Sequence, residues 1–328
     1  MERDLETGEP TGLLVEMNEV VERALPPLSP VDLRAAIREV SDRLLAAGVT
    51  FVADATHSNG PGEWRLLAGL QDRAELRQGV SMLEGLDHLG SLPVAEGRLS
   101  RGPVKVMPKE LEHEFQPSVG DMAAILRRIE GAGRRAAVHM VTRAGLDTVL
   151  AAFEALGHPA GGHRLEHCGI CSPEQARRVA ALGLTVVTQP GFLYENGDLM
   201  LKRLTAADLP DLYPLRRLLD AGVPVAGSSD APAAAPQPLE GIRAAVERRS
   251  RTGADMGADQ AVDIEEAVAL FTSGAARVLG VERERGALAP GMVADVVVLN
   301  TDVLGDGTSW DDLEVAMTVQ AGEVAFSR

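Results

Sequence analysis

Three polar residues close short apolar runs in the middle of the chain. His139 follows Ala136, Ala137 and Val138; His167 follows Arg164, Leu165 and Glu166; Asp230 follows Val225, Ala226, Gly227 and two serines. Each stands where a strand is expected to give way to a loop. Two imidazoles and a carboxylate converging at such ends would suit one divalent metal ion and a water activated by it. Lys105 is a further candidate, because a lysine inside the apolar run at 104–107 needs a partner or a chemical task if it is buried. Its plainer alternative is a stem lying along the strand with the ammonium reaching solvent.

The other candidates have plain readings too. A single histidine in an apolar run is more often a hydrogen-bonded structural residue than a ligand, but His139 and His167 follow apolar runs in successive units, which strengthens the pair. Asp230 lies in a GSSDAP turn, where a capping role has about even odds. His57, three residues after Asp54, is a further candidate to face the same rim. His88, His113, His158 and His163 neighbour Gly, Asp, Glu or Pro and read as solvated surface residues. Cys168 and Cys171 have the spacing of half a zinc knuckle or a redox pair, but with no second pair they read as a packing residue and a loop thiol. Neither a phosphate loop nor a Gly-x-Ser-x-Gly elbow is present.

The elements that must position these residues recur as one unit: a capped amphipathic helix, a glycine, a short β-branched run, then a polar residue. Asp54, His139 and Gln189 each fall six positions after a glycine, at Gly48, Gly133 and Gly183, and Gly222 begins a fourth copy that ends later, at Asp230. Further strands are expected at 79–83, 104–107 and 163–166. Helix starts are marked by Ser29 with Pro30, by Ser118 with Asp121 and by Ser172 with Pro173 and Gln175. Helices are also expected over 13–25, over 30–47 and, as one piece, over 263–279. This alternation predicts a parallel sheet with helical crossovers. An open doubly wound sheet and a closed (β/α)8 barrel both fit; polar residues at the ends of many strands favour the barrel, with about seven strands where eight are needed. Residues 286–299 and 315–326 read as β-strands, the second a hairpin about Ala321 and Gly322. The expected division is a barrel over 1–280 and a small β portion over 281–328.

Composition narrows the function. Asp and Glu number 48 against 32 Lys and Arg, a net charge of −16 at pH 7 that repels a phosphate backbone or an anionic membrane. No segment offers the ~18 uninterrupted apolar residues of a membrane span. The acidic, polar start lacks the features of a secretory leader. With only two cysteines, the cytoplasm is the expected compartment. A small-molecule substrate, neither nucleic acid nor lipid, is the expected partner.

Several segments together are similar to the amidohydrolase superfamily, most closely its amidohydrolase 3 branch, which includes the N-substituted formamide deformylases. They are TGEPTG at 7–12, AGVT at 47–50, VK at 104–105, VH at 138–139, RLEH at 164–167, PLRRLLDAGV at 214–223, GSSDAP at 227–232, TSGAA at 272–276 and GALAPGMVAD at 286–295. Their order and spacing carry the likeness; no one segment does. The resemblance implies a distorted (β/α)8 barrel of TIM type with a small β-sandwich built from both chain ends. It implies that His139 and His167 are metal ligands on strands five and six, that Asp230 closes strand eight, binds metal and takes the proton of the attacking water, and that Lys105 matches the strand-four lysine that is carbamylated in many relatives.

The sequence also departs from that pattern. The superfamily's first ligands are a His-x-His pair closing strand one, and no His-x-His occurs here. The chain is therefore expected to lack the first strand and half of the sandwich. TRAG at 142–145 stands where relatives carry Gly-Asp-Arg-Ala, and PKELE at 108–112 replaces the usual Asp-Gly.

Two functions remain open at this stage. One is a metal-dependent hydrolase of amide or other non-peptide C–N bonds, holding one zinc or similar divalent ion through His139, His167, Lys105 and Asp230, with Lys105 a candidate for carbamylation. The other is a truncated or non-catalytic relative whose open barrel dimerises, binds a partner or aggregates. A third, fold-level alternative is a doubly wound domain in which His139, His167 and Asp230 never meet.

Overall fold

A computed structural model describes residues 3–4, 7–12, 14, 18–26, 28–111, 114–303 and 309–328. Seven parallel strands form its centre: β1 (Phe51–Asp54), β2 (Gly79–Gly85), β3 (Leu99–Val106), β4 (Ala136–Met140), β5 (Arg164–His167), β6 (Thr185–Thr188) and β7 (Val225–Gly227). They are hydrogen-bonded in sequence order from β1 to β7, and a two-residue strand, Ala95–Glu96, pairs antiparallel with β3. A doubly wound sheet reverses its strand order at a switch point. This one never reverses, so it is a partial (β/α)8 barrel, and the doubly wound alternative is set aside. Among the described residues no strand pairs with the outer edge of β1 or of β7, in keeping with the expected loss of the first strand.

Local chemistry explains the helices. Ser29, Ser118, Thr142, Ser172 and Asp263 each accept a hydrogen bond from the backbone N–H three residues on, which satisfies one of the donors a helix start leaves free. Pro30 and Pro173 occupy first-turn positions where no N–H is needed. The helices Val119–Gly131 and Arg143–Glu154 bury Met122, Leu126, Ile129, Leu146, Val149, Leu150 and Phe153 against the outer face of the sheet, in one core with Val104, Val106, Val138, Met140 and Leu165. All seven residues of β2 are buried, as expected of a parallel strand covered on both faces. No helix of the described residues is long and apolar enough to cross a membrane.

Two expectations change. The single helix over 263–279 is two, Ile264–Phe271 and Ser273–Leu279, because Thr272 adopts φ −124°, ψ −98° and interrupts the turn. His163 is not a surface residue: it is fully buried, its Nδ1 accepting the Ala136 N–H at 3.0 Å and its Nε2 3.2 Å from a Glu130 oxygen. Its position beside Gly161 and Gly162 suggested a loop, but the strand that follows draws it under the helix Val119–Gly131. The expected first helix is described from Asn18 to Ala24; its earlier turns, like His113, lie outside the described residues.

The C-terminal residues form a three-stranded antiparallel sheet, Val296–Leu299, Val315–Gln320 and Glu323–Ser327, with Ala321 and Gly322 in the hairpin. It is fastened to the helix Pro30–Ala46 and to the start of β1. Thr318 Oγ1 donates to the Leu45 carbonyl at 2.6 Å, and Gln320 Nε2 to those of Thr50 and Arg77 at 3.1 and 2.9 Å. At Gly48, with φ +80°, an added Cβ would come within 3.0 Å of Val297, so this corner takes the chain only where no side chain intervenes. The described N-terminal residues add one isolated bridge, Arg3 to Pro10, and no strand of the sandwich.

Candidate functional site

Register decides what the C-terminal rim can do. In a parallel sheet, residues opposite one another in register share a face, and residues two apart along a strand return to it. Lys105 is opposite Ala137, and Ala137 opposite Arg164; His139, two residues on, is opposite Glu166. Lys105, His139, Arg164 and Glu166 therefore share the inner face. Met140 and His167 are also opposite one another, and alternation would send both outward. Met140 does go outward, into the apolar core. His167 does not, because its backbone turns into the left-handed region at φ +69°, followed by Cys168 at +51°. The ring swings back over the rim and meets His139 edge to face, centroids 4.6 Å apart at 76°.

Burial sets the charge state of this face. His139 is pushed down to about 3, first by burial, then by His167 and Lys105, so its ring is neutral at pH 7. Lys105 is 6% exposed and its ammonium is also pushed down, chiefly by burial, with Glu166 and Asp230 opposing and Arg164 adding to the shift. The snorkelling alternative for Lys105 is excluded. Arg164 Nε donates to Glu166 Oε1 at 2.5 Å, while Arg164 Nη1 is buried without a hydrogen-bond partner among the described residues.

His167 Nδ1 lies 2.8 Å from Gln189 Oε1, and Gln189 Nε2 lies 2.9 Å from Ser228 Oγ, so one chain of contacts crosses the ends of β5, β6 and β7. Asp230 follows β7 at φ +53° and is exposed. It is close enough to bias Lys105 and Tyr213 electrostatically, and burial, then Asp230 and Cys168, raises the Tyr213 phenol. His57 is exposed; His88 packs its ring against Gly60. Cys168 and Cys171 are free and buried.

Several residues at this rim had no sequence role. Glu110 comes from the hairpin Lys109–Leu111 with Glu114–Gln116, within the PKELE segment, and accepts the N–H of Val141 at 2.8 Å and of Thr142 at 3.2 Å. It fixes the turn after His139, whose Nε2 is 3.9 Å from Glu110 Oε2. Gln189 had a signal, its place six residues after Gly183 in the recurring unit; Ser228 and Tyr213 had none.

Fold and rim together define a partial (β/α)8 barrel with an ionisable cluster at the C-terminal ends of its strands, where barrels of this kind assemble their sites. The chain belongs to the amidohydrolase family, whose sequence profile matches residues 2–326. It is 27% identical over 355 aligned positions to YtcJ, an amidohydrolase-named protein of Bacillus subtilis (strain 168), covering 98% of this chain and 66% of that one. It is 32% identical over 201 positions to the N-substituted formamide deformylase of Arthrobacter pascens, covering 60% of this chain and 37% of that one. Among solved structures, a metal-dependent hydrolase from Pyrococcus horikoshii OT3 superposes with a TM-score of 0.74 at 24% identity, over 88% of this chain and 62% of that one. At that identity the likeness establishes the fold alone. The chain thus spans less than two thirds of the length of these relatives.

The rim fits a divalent ion in part. His139 offers a neutral imidazole, and His167, when its Nδ1–H donates to Gln189, keeps the Nε2 lone pair that ligation requires. Among the described residues no group of three or more His, Cys, Asp or Glu side chains is arranged to hold a metal.

Proposed function

We propose that this chain carries the catalytic rim of a metal-dependent hydrolase acting on amides or other non-peptide C–N bonds. The observation that carries the reading is the turning of His167 out of strand alternation to meet His139. The turn brings the two imidazoles together at the rim, which supports a shared role in holding a cation.

When bound, a divalent ion supplies Lewis acidity to the substrate carbonyl and to the attacking water. His139 and His167 hold it through ring nitrogens, and zinc suits such ligands. Lys105, carbamylated, adds an oxygen donor; its lowered pKa favours the uncharged amine, the form that adds carbon dioxide. Asp230, exposed at the mouth, accepts the proton of the attacking water and returns it to the departing amine. The substrate is a small molecule, and the N-substituted formamides named for the Arthrobacter relative are the first to try.

The test loads chelator-free protein with zinc and follows amine release from N-substituted formamides and N-acyl amines. Asp230→Asn is expected to lower the rate by about 10² to 10⁴, and His139→Ala to abolish it. A chain that stays metal-free and inert with added zinc removes the reading. Activity that survives both substitutions removes the site assignment.

A second reading, a relative that does not catalyse by itself, is favoured by the lack, among the described residues, of a third His, Cys, Asp or Glu ligand and of a strand beyond the outer edges of β1 and β7. Such edges invite association. Sedimentation that is monomeric across concentrations would count against it.

A further inference from the structure

The neutral form of His167 has two tautomers, and only one can ligate through Nε2. Gln189 Oε1, which accepts and cannot donate, is 2.8 Å from His167 Nδ1, so Nδ1 must carry the proton and Nε2 the lone pair. What keeps that oxygen toward the ring is the other end of the amide, where Nε2 donates to Ser228 Oγ at 2.9 Å. Gln189 is 2% exposed and His167 6%, so water competes little for either bond. Ser228 is itself fixed, its N–H donating to the Thr188 carbonyl at 2.8 Å.

The buried His163 shows the opposite arrangement. Its Nδ1 accepts a backbone N–H, so in the neutral ring Nε2 holds the proton and donates to Glu130. That ring, although beside Glu130 and His158, has no lone pair to give a cation. The two histidines are told apart by what faces Nδ1.

We propose that Gln189, clamped by Ser228, is a positioning residue that sets His167 in its Nδ1–H tautomer and so makes it a competent ligand. The proposal rests on the metal-hydrolase reading, and its test separates the two. Metal-free protein labelled with ¹⁵N-histidine is studied by long-range proton–nitrogen correlation at mildly alkaline pH, and zinc affinity is measured by competition with a chromophoric chelator.

The unsubstituted protein is expected to show His167 protonated at Nδ1. Gln189→Leu should move the proton to Nε2 and weaken zinc binding by about 10- to 100-fold, with Gln189→Glu, which keeps an acceptor, restoring both. Ser228→Ala should leave a mixture of tautomers, and it stands in if Gln189→Leu does not melt as a folded protein. A His167 protonated at Nε2 in the unsubstituted protein overturns the proposal, as does an Nδ1–H signal unmoved in both Gln189→Leu and Ser228→Ala. Zinc uptake indifferent to His139→Ala and His167→Ala would sink the hydrolase reading instead, leaving the spectrum to decide the role of Gln189.

Discussion

His139 and His167 stand edge to face, ring centroids 4.6 Å apart, although strand alternation assigns them to opposite faces of the sheet. The contact exists because His167 leaves the extended region at φ +69°. For a residue other than glycine this conformation is uncommon and costs on the order of 1 kcal/mol or more. The uncommon backbone thus stands beside a buried imidazole and a buried amine, those of His139 and Lys105.

Lys105 should oppose stability. Burial dominates its lowered pKa, outweighing the help of Glu166 and Asp230. Lys105→Met is therefore expected to raise the unfolding free energy by about 1 kcal/mol or more in urea titration, while abolishing amine release. A destabilised Lys105→Met would show that the ion pairs, and not desolvation, decide the balance.

Glu110 should act on the turn after His139. It accepts two backbone N–H groups and the Thr142 hydroxyl, and an added Cβ at Gly145 would lie 1.9 Å from Glu110 Oε1. Glu110→Ala is expected to cost about 1.5 to 3 kcal/mol, and Gly145→Ala to expel the same carboxylate. Hydrogen exchange at Val141 and Thr142 reads both, and unchanged protection in Glu110→Ala would refute the role.

Arg134 and Glu84 form a buried ion pair, 8% and 0% exposed at the side chain. Glu84 also accepts the N–H groups of Ser91 and Leu92, and Arg134 Nη2 donates to the carbonyl of Gly102, so the pair ties β2 to β3 and to the approach of β4. Arg134→Met leaves an uncompensated buried carboxylate and is expected to cost about 3 to 5 kcal/mol. Thermal melts of the single variants and of Arg134→Met with Glu84→Leu check this, the double variant recovering most of the loss.

His163 should make stability fall in mild acid. Burial, foremost, lowers its folded pKa below the ordinary 6.5, against the pull of Glu130. Above 6.5 the ring is neutral in both states and its contribution is complete. As pH falls through 6.5 the unfolded chain takes up a proton that the folded chain refuses, and stability declines until the lowered folded pKa is reached. His163→Gln, whose side-chain oxygen can still accept the Ala136 N–H, should flatten this part of the profile. Parallel slopes for the two proteins would remove His163 as the cause.

The strand and helix order, the caps at Ser29, Ser118 and Ser172, the C-terminal hairpin and the two rim histidines were all legible in the amino-acid sequence. These rest on local causes: alternation, β-branching, a hydroxyl placed to accept an N–H, a glycine where φ is positive. Only the tertiary structure decided that Thr272 breaks a helix, that His163 lies under one, that Glu110 braces the turn after His139, and that His167 faces inward with Gln189 behind it. Side-chain direction at a strand end follows from the left-handed turn that the downstream loop imposes, and residues as far apart as His167, Gln189 and Ser228 meet only when β5, β6 and β7 lie side by side. Periodicity along the chain records which face a strand residue should take; it holds no record of the one residue that departs from it.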